Sequence, residues 1–431
     1  MIEHVLRTAR AARRAAPPVG DPAYQDFCRR LGDELQAKWP LIENAGAADM
    51  QRAARDGLPS AITDRLRLGC PQRDHLVALT FAVEERLPEI TAGTPAVAAV
   101  GAMTVRRIPK PLGVVFMVYE ARPTVTVEGA LLSVATGNAV ILRGGKEIAA
   151  ANAAFAGIIS ASLAAAGLPP GMVQILSDAD RAQLRALLKR HDAIDVLIPR
   201  GSPSLIDYCR TASTIPVIAS GGGVNHLYVH ASADPAAVAG IALDSKLVEP
   251  TACNSLEMLL VDRQAAAEVI AALVGLGERR GFRFTLRVPP ELVAPAGPCV
   301  TVEPLGEHDD GREFLDRSLA VRAVPGMAEA VSHIRQYGSG HTEGIAAADA
   351  RVVDEFCRRV DAAAIVVNGS LRLHDGPTMR LGPEVSISTG RLHVRGPVGL
   401  GSLLTYTWVI DGNGTLRTQL SDDAVLTTPS W

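Results

Sequence analysis

From Pro111 onward, short and wholly apolar runs alternate with helical patterns, and this alternation constrains the fold more than any other feature of the chain. Val114-Val115-Phe116-Met117-Val118 and Ala139-Val140-Ile141-Leu142 have no polar face, as expected of strands covered on both sides. Helical patterns over 125–135, 146–166, 179–189 and 202–211 separate them from further strands over 172–176, 195–198 and 215–218. Thr124 or Thr126 is a candidate cap for the first of these helices. Such spacing predicts βαβ units, parallel pairing and right-handed crossovers. A doubly wound sheet of this kind holds ligands beyond the carboxyl ends of its strands. A second alternating region runs from 227 to about 367. Residues 1–90 read instead as helices over 2–15, 23–38, 47–55 and 73–86, broken at Pro17-Pro18, Gly57-Leu58-Pro59 and 69–71. Two β-rich stretches remain. One, 94–107, is a candidate hairpin interrupted by Gly101. The other, 391–417, is expected to pair with that hairpin or with the sheet edge of another subunit.

Composition removes several classes of function. A formal net charge of −3, with no run of Lys and Arg, gives no pull toward nucleic acid or an anionic membrane. The six cysteines are scattered with no CxxC pair, which argues against a zinc site or a disulfide framework and for a reducing cytoplasm. No histidine stands at metal-ligand spacing from another histidine or cysteine, so His226, His341 and His393 are expected in structural hydrogen bonds. No apolar run reaches membrane-spanning length on this reading.

The chemistry-bearing stretch is Lys246-Leu247-Val248-Glu249-Pro250-Thr251-Ala252-Cys253-Asn254, between a helical run over 235–247 and a strand-like run over 256–261. A thiolate there is a strong, soft nucleophile. A small buried hydrophobe is the other reading of the same cysteine. Arg143-Gly144-Gly145-Lys146 and Pro199-Arg200-Gly201-Ser202 both sit where a strand hands over to a helix, so glycine and free N–H groups can meet a phosphate there. Neither matches GxGxxG or a Walker A loop. Ser220-Gly221-Gly222-Gly223 is a candidate hinge. Glu384 is either an acceptor for ribose hydroxyls or a solvated loop acid.

Taken together, these segments resemble the γ-glutamyl phosphate reductases, a branch of the aldehyde dehydrogenase superfamily, over nearly the full length. Tyr119-Glu120-Ala121-Arg122-Pro123, Gly137 through Glu147, Ile198-Pro199-Arg200-Gly201, Pro250 with Cys253-Asn254, Tyr337-Gly338-Ser339-Gly340-His341 and His393 with Arg395-Gly396-Pro397 carry the resemblance. It implies an α/β fold with a Rossmann-type cofactor domain (1–92 and 111–226) and a catalytic domain (227–385). A small β flap for oligomerisation (93–110 and 386–431) completes it. It also implies NADPH-dependent reduction of an acyl phosphate through a Cys253 thioester, in proline biosynthesis. By position, Cys253 and Asn254 are catalytic, with the Cys253 backbone N–H as oxyanion donor. Arg143, Gly145 and Lys146 hold the adenosine end, Lys146 favouring the 2′-phosphate. Gly201 and Ser202 approach the pyrophosphate, and Glu384 the nicotinamide ribose. Further implications are a homodimer or homotetramer and channelling from the kinase that makes the acyl phosphate. Aldehyde-oxidising relatives place a glutamate base near Ala219, where this chain has none.

Departures cluster where substrate would approach. Val248 and Glu249 replace polar and cationic residues of the family pattern, Thr124 replaces an asparagine, and Pro377-Thr378-Met379-Arg380 interrupts a glycine-rich turn. They motivate a rival reading, a paralogue reducing a different amino-acid acyl phosphate. A third reading is a nucleotide-binding pseudoenzyme.

Overall fold

The computed structural model describes residues 2–99, 102–177, 180–295 and 297–420. Four helices open the chain: α1 (Ile2–Ala15), α2 (Pro22–Arg55), α3 (Ser60–Arg65) and α4 (Cys70–Thr91). The sequence reading split α2 in two, but its buried stripe continues past Pro40 through Ile42, Gly46, Asp49 and Ala53, and packing of that stripe outweighs the proline. β1 (Val97–Ala98) and β2 (Thr104–Pro111) pair antiparallel; Gly101 lies outside the described residues.

The first parallel sheet contains β3 (Val114–Tyr119), β4 (Ala139–Arg143), β5 (Val173–Ile175) and β6 (Val196–Arg200), ordered β5-β4-β3-β6. Its connections are α5 (Thr124–Ala135), α6 (Ala149–Ala165) and α7 (Arg181–Leu187), with α8 (Pro203–Ala212) following β6. β3 and β4 are buried at every residue because one core, shared with α2 and α4 to α6, covers one face while another, with α1, α7 and Cys209 of α8, covers the other. Three local expectations change. Residues 215–218 form a single bridge, Leu197 to Val217, because Pro216 has no N–H to give a ladder. α5 has no side-chain cap; Thr126 instead bonds the Tyr119 hydroxyl at 2.7 Å and Asn152 at 2.5 Å inside the core. A 3₁₀ turn, Lys146–Ile148, precedes α6, whose first N–H groups (Ala150, Ala151) are taken by buried Asp49 at 3.1 and 2.9 Å.

The stretch Lys146–Ala165 is 20 residues long with a mean hydropathy of 1.7, so it does reach membrane-spanning length, contrary to the sequence reading. Phe155, Ile158, Ile159 and Leu163 on it pack in the core, and alanine supplies much of the remaining hydropathy.

A second, all-parallel sheet of seven strands has the order β10-β9-β11-β8-β7-β12-β13. In chain order its elements are β7 (His226–Val229), α9 (Pro235–Leu247), β8 (Met258–Asp262), α10 (Ala266–Arg280), β9 (Phe284–Val288), β10 (Val300–Pro304) and β11 (Ser318–Val324). α11 (Met327–Tyr337), β12 (Thr342–Ala346), α12 (Ala350–Arg359) and β13 (Ala364–Val367) follow. α9 and α10 cover one face, α11 and α12 the other. β14 (Glu384–Ser388) pairs with β15 (Gly396–Gly399), and Ser388 bridges back to Ser220. β16 (Leu404–Asp411) pairs with β2 over its whole length, the first of the two partners expected for the tail.

Between α9 and β8 lies the connection that carries Cys253, and a buried ion pair staples its two ends. Lys246 Nζ sits 2.7 Å from Glu257 Oε2, with both side chains almost wholly buried. The same oxygen accepts from the Phe314 N–H at 3.1 Å. Burial pushes the Glu257 carboxyl up, against the pull of Lys246. Removing the lysine alone strands a buried acid. Lys246→Met should therefore lose about 3–5 kcal/mol at pH 8. The loss should shrink toward pH 5, because an acid raised in the folded state stabilises below its unfolded pKa and that stability fades as pH rises through the folded one. Urea unfolding midpoints at the two pH values, with Lys246→Met/Glu257→Leu recovering most of the deficit, check this.

Candidate active site

In the first sheet the chain lays down β3, then β4 and β5 on one side, then returns to add β6 on the other. The carboxyl ends of β3 and β6 thus flank a topological switch point, where crevices form. Arg200 is the last residue of β6 and pairs with Tyr119, the last of β3; Glu120 and Arg122 follow directly. The Glu120 N–H donates to the Arg200 carbonyl at 3.2 Å. The Glu120 carboxylate accepts from the Ser202 N–H at 2.8 Å. A Cβ on Gly201 would press on that same carboxylate.

Gly222 and Gly223 carry this crevice toward the cysteine. Gly222 lies against Pro203 at the start of α8, and any side chain at Gly223 would collide with the Cys253 carbonyl oxygen. Gly223 donates its N–H to Glu313 Oε1 at 3.0 Å. Asn225, fully buried, then fixes the whole corner. Its Nδ2 reaches the carbonyls of Gly223 (3.1 Å), Cys253 (2.9 Å) and Ser255 (2.7 Å), and its Oδ1 accepts from the Thr342 N–H at 3.1 Å. Among the described residues no acceptor takes the Cys253 N–H. It remains free to donate to an oxyanion.

The Cys253 thiol is exposed. Protein nevertheless crowds its other sides, so burial still pushes its pKa up; Arg200 and then Arg122 pull it down, while Glu384 and Glu313 push it up. Solvent access and desolvation thus act together here: the thiol is reachable, yet its ionisation depends on neighbouring charge. Arg122 is exposed, Arg200 is enclosed, and the two repel each other. Glu384, at the start of β14, is held up to about 7 by burial; one oxygen, Oε2, is buried with no partner.

The other expected site residues are dispersed. Asn254 is buried, its amide donating to the His374 carbonyl at 3.0 Å while Oδ1 has no partner. Arg143 is largely buried, with Nη2 3.5 Å from the Asp180 carbonyl, whereas Lys146 is exposed beside Gly145. A Cβ on Gly145 would strike Glu147, whose carboxylate accepts from the Ala121 N–H at 2.7 Å. His226 and His341 make the structural contacts expected of them, with Glu343 at 3.0 Å and Thr342 at 2.7 Å; His393 approaches the Ser402 carbonyl at 3.2 Å. Arg122, Arg200, Asn225 and Glu313 were not singled out from sequence. The two arginines become conspicuous only once β3 and β6 are known to be neighbours, and Asn225 works through partners 28 and 117 residues away.

Two parallel sheets joined through the 220–223 segment, with a reachable cysteine beside it, define an oxidoreductase of the aldehyde dehydrogenase type. The aldehyde dehydrogenase family model matches residues 81–279. An acetylating aldehyde dehydrogenase from Geobacillus thermoglucosidasius shares the fold at 18% identity and a TM-score of 0.71, over 95% of this chain and 96% of that one. More specific matches are the γ-glutamyl phosphate reductases of Symbiobacterium thermophilum, 40% identical over 96% of this chain and 100% of the relative, and of Chloroflexus aggregans, 39% identical over 96% and 99%. The crystal structure of the Thermotoga maritima γ-glutamyl phosphate reductase superposes with a TM-score of 0.88 at 28% identity, covering 96% of this chain and 99% of that one. The chain belongs to the γ-glutamyl phosphate reductase family.

Asn225→Leu keeps the volume but removes every polar partner of the corner. Each stranded buried group should cost about 1–3 kcal/mol of stability, and displacement of the thiol should lower kcat by about 100-fold. Steady-state kinetics on the folded variant, with circular dichroism as control, measure both.

Proposed function

We propose that the protein reduces L-glutamyl 5-phosphate to L-glutamate 5-semialdehyde and phosphate with NADPH, through a thioester on Cys253. The observation that carries this reading is the reachable Cys253 thiol at the switch-point crevice, with two arginines favouring its thiolate. The thiolate attacks the acyl carbon, and the bond to the phosphate oxygen breaks as phosphate leaves with its electron pair. The thioester carbon then accepts a hydride, the chemistry that a reduced nicotinamide would supply when bound. The free Cys253 N–H stabilises the oxyanion of the resulting tetrahedral adduct, a contribution of about 3 kcal/mol. Collapse of that adduct expels the thiolate and leaves the aldehyde.

The residues present suit a dinucleotide. Glu384 Oε2 is an acceptor without a donor, as a ribose hydroxyl would require. The Ser202 N–H at the start of α8 binds an anionic oxygen, that of Glu120, which a pyrophosphate oxygen would displace. Exposed Lys146 is the cation available to a 2′-phosphate, which favours NADPH over NADH; Arg143, at the end of β4 with Nη2 3.5 Å from the Asp180 carbonyl, stands near it at the proposed adenosine end. The family-based homo-oligomer would use the outer edge of β16, where Tyr406, Trp408 and Ile410 are exposed.

The rival substrate reading drew on Glu249. That carboxylate lies 2.7 Å from Arg372, so its negative charge is compensated and does not by itself repel an acidic substrate. The glutamyl assignment stands as the stronger of the two.

Cys253→Ala should abolish reduction while cofactor still binds. On the native enzyme, rapid quenching and mass spectrometry should find an acyl adduct on the peptide containing Cys253, whose mass names the acid. Retained turnover in the variant refutes the mechanism. A second expectation concerns pH. A ribose hydroxyl bonds the ionised form of Glu384 better, so dinucleotide affinity should tighten as pH rises through about 7 and become flat in Glu384→Gln. Fluorescence titration of reduced cofactor from pH 6 to pH 8.5 would show it.

A further inference from the structure

Two arginines flank the carboxyl ends of β3 and β6, Arg200 closing β6 and Arg122 following β3. Arg200 and Arg122 each act on the Cys253 thiol and on each other, and Arg122 acts on Arg65. Among the described residues, neither Arg122 nor Arg200 makes a side-chain hydrogen bond or ion pair. By contrast, the part-exposed Arg287, Arg322 and Arg372 each pair with a carboxylate at 2.6–2.9 Å. The nearby acids make other contacts and pair with neither arginine. Glu120 is bound by the Ser202 N–H, and Glu313 by the Gly223 N–H. Glu384 and Glu128 act on Arg200 only at longer range. The two cations repel each other, and a tetrahedral dianion entering the crevice can accept from both forks at once.

We propose that Arg122 and Arg200 are specificity-determining residues that seat the phosphate group of the acyl phosphate beside Cys253. The inference rests on the acyl-phosphate reading above and assigns a role that reading leaves open. Its geometry is that of the switch point. β3 and β6 end in register at Tyr119 and Arg200, so the two cations rise from adjacent strand ends, and the Gly222–Pro203 and Gly223–Cys253 contacts bring that edge to the nucleophile. With the leaving oxygens neutralised there, the acyl carbon faces the sulfur, and the departing phosphate carries off the bonding pair as its charge develops against the guanidiniums. In the reverse direction the same pair binds inorganic phosphate, whose oxygen attacks the thioester carbon while the carbon–sulfur bond breaks.

The test runs in that reverse direction, with glutamate 5-semialdehyde, NADP+ and inorganic phosphate. Arg122→Gln and Arg200→Gln should each raise the KM for phosphate by about 10- to 100-fold, the loss expected for a charge-assisted hydrogen bond. The KM for aldehyde and the Kd for NADP+ should move little, and Arg122→Lys and Arg200→Lys should recover part of the phosphate affinity. An unchanged phosphate KM in the glutamine variants overturns the seat. So does a parallel loss of NADP+ affinity, which would place the arginines on the cofactor pyrophosphate. If the unmodified enzyme shows no phosphate dependence with any semialdehyde, the acyl-phosphate reading itself falls, and the seat with it. The two failures are therefore distinguishable.

Discussion

One buried amide sets the position of the nucleophile. Asn225 binds the carbonyls of Gly223, Cys253 and Ser255 with Nδ2 and holds the Thr342 N–H of β12 with Oδ1. The cysteine connection is thereby tied to Gly223 on one side and to the second sheet on the other. Buried backbone groups need such partners, and an irregular connection cannot find them in a ladder. The same contact explains the glycine at 223, since a side chain there would meet the Cys253 carbonyl. A nucleophile held this closely needs little reorganisation when substrate arrives.

The charge on the sulfur follows from that placement. Crowding alone would keep the thiol protonated, and two carboxylates reinforce this; Arg200 and Arg122 oppose it. The balance is local and depends on what else enters the crevice, because any ligand that engages the arginines or Glu384 also changes the field at the thiol.

Much of the fold was legible from period alone. The wholly apolar runs of β3 and β4 could only be strands covered on both faces, and α1 and α9 match their expected limits. Errors arose where tertiary contacts override a local signal. Residues 39–46 fall between two expected helices but belong to one helix with a continuous buried stripe, and 215–218 reads as a strand but contains a proline where the ladder needs a donor. At the site, Cys253 stood out through its neighbours in sequence. Arg122 and Arg200 did not, because their significance comes from strand order, which no local pattern encodes.

The same geometry bears on why a thioester here would meet hydride before water. Ala219 and Ser220 offer no carboxylate, and the Ala219 carbonyl is engaged by the Thr389 N–H at 3.3 Å as β14 folds against this segment. Of the two acids acting on the thiol, Glu313 is bound to the Gly223 N–H. Glu384 has a buried oxygen without a partner and a pKa near the range a general base needs. On the proposed reading, the ribose of the bound cofactor occupies that oxygen. The group that delivers hydride would then also silence the nearest base able to activate water, so reduction and protection of the intermediate would depend on one binding event.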